Sequence, residues 1–217
     1  MRLPTTTQIR KAREYIMPPE EVSHASEKEA VDVIFGSDIS TLEKVYALDK
    51  IYNCNLKLSE NRYRSLSKAL RGINKRIREV GDYNTADSIV DEIARWKYNP
   101  HRRIGNVFAS KYCYFTKQQP EGLFVIYDKY ADIALVYLET NHAAQQYWGN
   151  YKGYASKVRE LLQQLEGKGL RYRDIDKYLW LFGQVLYAVD KHRDIPTRIA
   201  SLGNNKLMQL KQDLDPI

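Results

Sequence analysis

The sequence predicts an all-α protein: a compact multi-helix domain of about eight to ten helices with short connections, in one or two lobes beside a groove. Three observations carry that expectation. Apolar residues recur at steps of three and four through most of the 217 residues. Helix-start signals, a serine followed three positions on by a glutamate, stand at Ser26/Glu29 and Ser40/Glu43. Strand signal is scarce: only Leu123 to Tyr127 reads as a short extended run, and one segment cannot make a sheet.

Taken in order, residues 5 to 16 place Ile9, Ala12 and Ile16 on one side of a short helix, which Pro18 and Pro19 cannot continue. The Ser26 box opens a helix that stops at Gly36, and the Ser40 box one whose inner side is Leu42, Val45, Tyr46, Leu48 and Ile51. From 60 to 80 the apolar positions are Tyr63, Leu66, Leu70, Ile73, Ile77 and Val80, the clearest helical period in the chain. Gly81 and Asp82 close it, and the helix over 84 to 96 carries Ala86, Ile89, Val90, Ile93 and Trp96 inward until Asn99-Pro100 ends it. Two helices are expected around Lys111 and after Asp128, and residues 141 to 153, polar and aromatic, form a loop. Beyond it, Tyr154, Val158, Leu161, Leu162 and Leu165 line one helix, and Asp174 caps the next, with Ile175, Tyr178, Leu179, Phe182, Val185, Leu186 and Val189 inward. A basic cluster of Lys191, His192, Arg193 and Arg198 precedes a weak last helix. The organisation expected is one helical domain over 1–217, with a peripheral arm over 1–25, a core over 26–190 and a basic segment and tail over 191–217.

A net charge of +7 and a pI near 9.2 favour a polyanionic partner, so the placement of the cations matters. On the helix over 60 to 80, Arg64, Lys68, Arg71, Lys75 and Arg78 repeat the helical step on one face, and no acidic residue lies between 61 and 78. Like charges at this spacing oppose the helix by a few tenths of a kcal/mol per pair, so an ordinary solvated face mixes its signs. A phosphate backbone would compensate them. Arg102 and Arg103 add a second basic pair.

Several chemistries find no support. Cys54 and Cys113 are too few and too far apart for a zinc site or an iron–sulfur cluster, and the four histidines lack metal-ligand spacing. There is no Walker loop, no Rossmann glycine pattern and no G-x-S-x-G. No metal and no cofactor are therefore expected. Unbridged cysteines, no signal peptide and no apolar run of transmembrane length lead to the expectation of a cytoplasmic protein without a membrane partner.

The central stretch runs R-R-I-G-N-V-F-A-S-K-Y-C-Y-F, a polar loop, then L-F-V-I-Y-D-K-Y-A-D-I-A-L-V-Y-L, with Lys111 in a helix and Asp128 at the mouth of the next. This resembles the lysine-dependent branch of the helix-hairpin-helix DNA glycosylases, the 8-oxoguanine glycosylase/lyases in particular. The resemblance implies a helix-hairpin-helix glycosylase-like fold and double-stranded DNA as partner. It also implies Lys111 as the nucleophile at the sugar C1′ and Asp128 as its acid–base partner in repair of a damaged or modified base. A free lysine amine is almost wholly protonated at neutral pH, so such chemistry needs a site that removes that proton. These enzymes carry a G-x-G hairpin ahead of the lysine, where only Gly105 stands here, and the basic helix is the expected DNA anchor in its place. Tyr112, Tyr127 and Trp148 are the residues expected to stack on an extruded base. Two rival classes use the same residues differently. One is a non-catalytic helical module that binds nucleic acid through the basic face. The other is a protein-interaction subunit of a phage-defence or toxin system whose basic face meets an acidic protein.

Overall fold

The structure, a computed structural model, describes residues 1–16, 31–50, 54, 56–99, 102–117, 122–166, 168–191, 199, 202 and 204–216. The helices are α1 (Thr6–Ile16), α2 (described over 31–36), α3 (Thr41–Lys50), α4 (Glu60–Glu79), α5 (Tyr83–Ala94), α6 (Asn106–Lys117), α7 (Lys129–Thr140), α8 (Tyr151–Gln164), α9 (Tyr172–Lys191) and α10 (Asn204–Leu214). The all-α expectation holds. The one exception among the described residues is a short antiparallel pair, β1 (Lys97–Asn99) and β2 (Arg102–Arg103). That pair falls where Asn99-Pro100 signals only a helix stop. The extended run over 123–127 is buried and joins no sheet. An apolar extended segment can be hidden by helices as well as by neighbouring strands, and here its peptide groups are not arranged in a ladder.

The chain forms two compact units, one of Met1–Pro18 with Asp128–Ile217 and the other of Pro19–Tyr127. In the second, α3 opens with the expected capping box: Ser40 N–H donates to Glu43 Oε2 (2.8 Å), and Glu43 N–H to Ser40 Oγ (3.3 Å). Helix α4 buries Tyr63, Leu66, Leu70 and Ile77, and its apolar stripe packs toward α3, α5 and α6. Three polar ties fix its rotation. The Tyr63 hydroxyl donates to the buried Asp49, Asn74 donates to Thr41 Oγ1 (3.3 Å), and the Tyr112 hydroxyl of α6 donates to Asn74 Oδ1 (2.8 Å). At its C-terminal end Lys117 Nζ donates to the carbonyls of Arg78 (2.6 Å) and Val80 (2.7 Å), satisfying acceptors that a helix leaves open. Asp82 caps α5 by accepting from Thr85 N–H at 2.9 Å.

In the other unit α9 is the central rod, with α1, α7 and α10 packed along it and α8 against α7. Gly183 of α9 meets the Tyr130 carbonyl of α7 so closely that a side chain of any size would collide with backbone. The N-terminal segment, expected as a peripheral arm, instead buries Ile9 and Ala12 completely. Arg2 donates to the Tyr137 carbonyl (3.2 Å) and pairs with Asp215 (3.4 Å). The last helix is likewise held, since the Tyr178 hydroxyl donates to the Leu214 carbonyl at 2.8 Å. Asp174 sits in the first turn of α9 rather than before it and accepts from Arg171 N–H at 3.0 Å. The expected box at Ser26/Glu29, Ile51 and the cluster of His192, Arg193 and Arg198 lie outside the described residues.

Candidate functional site

Lys111 lies mid-way along α6, a helix that is buried on most sides through Phe108, Ala109, Ser110, Tyr112, Cys113 and Phe115. The residue itself is 6% exposed. Gly105, with φ of +81°, supplies the left-handed residue between β2 and α6, and its N–H donates to the Ala94 carbonyl at 3.0 Å. Immediately before Lys111, the Ser110 hydroxyl is wholly buried and accepts from Tyr127 N–H at 2.9 Å. Tyr127 is the residue immediately before Asp128.

Asp128 is the N-cap of α7, as expected. Its backbone is extended (φ −139°, ψ 145°), its carboxylate accepts from Tyr130 N–H at 2.8 Å, and its carbonyl accepts the first turn's Asp132 N–H at 2.9 Å. The helix behind it is rich in aromatic and cationic contacts: Lys129 Nζ lies 4.2 Å from the centroid of the Tyr187 ring, which meets Tyr130 edge to face at 5.7 Å.

The basic face of α4 is exposed at every expected position, Arg64, Lys68, Arg71, Lys75 and Arg78. Arg64 pairs with Glu60 (2.9 Å) and Lys75 with Glu79 (3.8 Å), both at the helix ends. Among the described residues no ion pair engages Lys68, Arg71 or Arg78. Arg102 and Arg103 form β2, in register with Asn99 and Lys97. Of the three aromatic residues expected to meet a base, Tyr112 and Tyr127 are interior. Burial pushes the Tyr112 hydroxyl up to about 12, and its proton is already given to Asn74. Trp148 is 73% exposed.

Three residues of this region escaped the sequence reading. Asp132, fully buried in α7, accepts from Gln146 N–H (3.2 Å) and Tyr147 N–H (3.1 Å) and so pins the loop that presents Trp148. The signal was present as a lone acid within the apolar run A-D-I-A-L-V. Lys44 of α3 and Lys117 of α6 come to the C-terminal end of the α4 stripe, which no local pattern reveals. Lys44 Nζ donates to the Phe35 carbonyl at 3.2 Å, and burial followed by the neighbouring Arg78 charge lowers its pKa, with Asp38 opposing. Cys54 and Cys113 are unbridged, and burial pushes the Cys113 thiol well up, so it is not a poised nucleophile. No cluster of three or more metal-ligating side chains occurs among the described residues, and no helix there is long and apolar enough to cross a membrane.

Comparison with protein-family models, with curated proteins and with solved structures found no match to this chain.

Proposed function

We propose that the protein acts on DNA as a lysine-dependent glycosylase/lyase, excising a damaged or modified base with Lys111 as nucleophile and Asp128 as its acid–base partner. The observation that carries this reading is the 2.9 Å hydrogen bond from Tyr127 N–H to Ser110 Oγ, which ties the residue ahead of the aspartate to the residue ahead of the lysine. The N-cap position of Asp128 supports it further, because a cap carboxylate is held in one orientation by the first N–H groups of its helix. In the proposed step the neutral amine attacks the sugar C1′, and the N-glycosidic bond breaks with its electron pair leaving on the base. Proton loss from nitrogen and opening of the sugar ring then give a Schiff base. At 6% exposure Lys111 reaches a sugar only if its surroundings part when DNA binds.

Borohydride trapping on duplexes carrying damaged or modified bases tests the proposal. A covalent adduct is expected, and Lys111→Gln should abolish it while Asp128→Asn lowers its rate by about 10²-fold or more, the scale of a lost acid–base group. No adduct, or one that persists in Lys111→Gln, sinks the lysine mechanism.

A second reading, a non-catalytic nucleic-acid-binding module, is favoured by the exposed α4 stripe and its three cations without an acidic partner among the described residues. It predicts binding that weakens with salt and is indifferent to Asp128→Asn.

A further inference from the structure

The α4 stripe has a geometry more specific than positive charge. Steps of four and three residues let five cations drift only about 40° around the helix over two heptads. At 1.5 Å per residue they span about 21 Å in a nearly straight line. The inner face of α4 is locked by Asn74, Tyr63 and Ile77, so the line is held in one orientation within its unit. Flanking positions are small or open: Ser65 and Gly72 are exposed, and nothing lies within 4 Å of a Cβ built on Gly72. Asn74, an amide of the type that reads adenine edges, is turned inward and used by Thr41 and Tyr112. The fold then adds cations at one end. Lys117 is fixed beside the Arg78 carbonyl, and Lys44 lies one turn along α3 from Thr41, which accepts from Asn74 of α4, one turn ahead of Arg78.

We propose that the α4 stripe, extended at its C-terminal end by Lys44 of α3 and Lys117 of α6, is one binding surface for a run of phosphodiester anions, contacted through the backbone without reading bases. This deepens the nucleic-acid reading and does not depend on chemistry at Lys111. The occupant is a nucleic-acid strand, whose backbone carries one anion per nucleotide at regular spacing, as the cations recur at regular spacing along α4. About 21 Å corresponds to roughly six phosphates of one strand, at about 3.4 Å of axis each.

The test is the salt dependence of affinity for the full chain, measured by fluorescence anisotropy on a short duplex and on a single strand of the same sequence. The logarithm of the binding constant should fall linearly with the logarithm of salt. Lys44→Gln, Arg71→Gln and Arg78→Gln should each flatten the slope by about 0.9 on duplex or about 0.7 on single strand, and the arm with the tighter binding identifies the source. Lys57→Gln, an exposed lysine off the stripe, serves as the control and should leave the slope unchanged. Unrelated sequences of equal length should bind alike, without the roughly tenfold differences that one base-pair readout produces. The proposal is overturned by no binding at low salt, by slopes unmoved in all three variants or moved equally by Lys57→Gln, by such sequence preference, or by polyglutamate competing as well as DNA of equal charge. Equal far-UV spectra and thermal midpoints separate loss of contact from loss of fold. Borohydride trapping reports on Lys111 alone, so loss of the lysine chemistry leaves this surface standing, slopes unmoved by the stripe variants leave the lysine chemistry standing, and only a complete absence of DNA binding removes both.

Discussion

Asp132 is a carboxylate with no exposure, flanked in α7 by alanine and isoleucine, and a buried charge is tolerated only where donors converge on it. Here they include the backbone N–H groups of Gln146 and Tyr147. Asp132→Ala should therefore cost about 1–3 kcal/mol for each donor left unsatisfied, and Asp132→Asn, which keeps an acceptor, distinctly less. Thermal or denaturant unfolding of the two variants checks this, and equal losses would show that the charge matters rather than the acceptor. Tyr112 makes a pH prediction. Its folded pKa is raised from 10.0 to about 12, by burial first, so the neutral phenol is the form that folding favours. That contribution is complete below about pH 10 and is lost as pH rises toward 12, because the unfolded chain then releases a proton that the folded chain retains. Tyr112→Phe should make alkaline unfolding shallower over that window, against a lower midpoint at neutral pH from loss of the bond to Asn74. Both residues are evident as side chains in the sequence, yet neither partner is, since Asn74 and Gln146 are brought in by separate helices and a loop.

At the scale of elements, close packing and like charge have opposite signs. Where α7 crosses α9, Gly183 faces the Tyr130 carbonyl, and backbone cannot yield as a flexible side chain can. Gly183→Ala should destabilise by at least the 1–3 kcal/mol typical of overpacking, although alanine is the better helix former in isolation. A midpoint that rises instead would mean that the crossing has room for a methyl group. On α4 the expectation reverses. Arg71 is exposed and lies three or four residues from Lys68 and Lys75, so Arg71→Gln removes two like-charge repulsions and should leave the unfolding free energy unchanged or raise it by a few tenths of a kcal/mol. Loss of nucleic-acid binding without loss of stability is the signature of a face kept for its partner. Helix α4 could be read directly from sequence because its period is unbroken for 20 residues. The β1–β2 pair could not, because two strands of two or three residues carry too few side chains for an alternation to register.

At the scale of the molecule, the chain ends help to close a unit, which the expected peripheral arm and tail did not anticipate. Helices α1 and α10 both lie on α9, and Tyr137, Asp215 and Arg2 meet through the Tyr137 hydroxyl (2.7 Å) and the Arg2 ion pair. Elements tied by contacts of such long sequence separation are expected to open as one cooperative unit. Native-state hydrogen exchange should find the amides around Ile9 and Ala12 protected to the same free energy as those of α9. Fast exchange in α1 beside a protected α9 would return the N-terminal segment to the periphery.

The sequence by itself determined the helical class, the rotation of α4 that puts its cations outward, the Ser40 capping box and the role of Asp128 as a helix start. All of these rest on interactions within a few residues, where spacing along the chain is spacing in space. Only the tertiary structure decided that Tyr112 and Tyr127 are interior while Trp148 is displayed, that Ser110 holds Tyr127, and that Lys44 and Lys117 join the end of the basic stripe. Each of those depends on which helices pack together, a choice made by the sum of many apolar contacts and recorded in no local pattern.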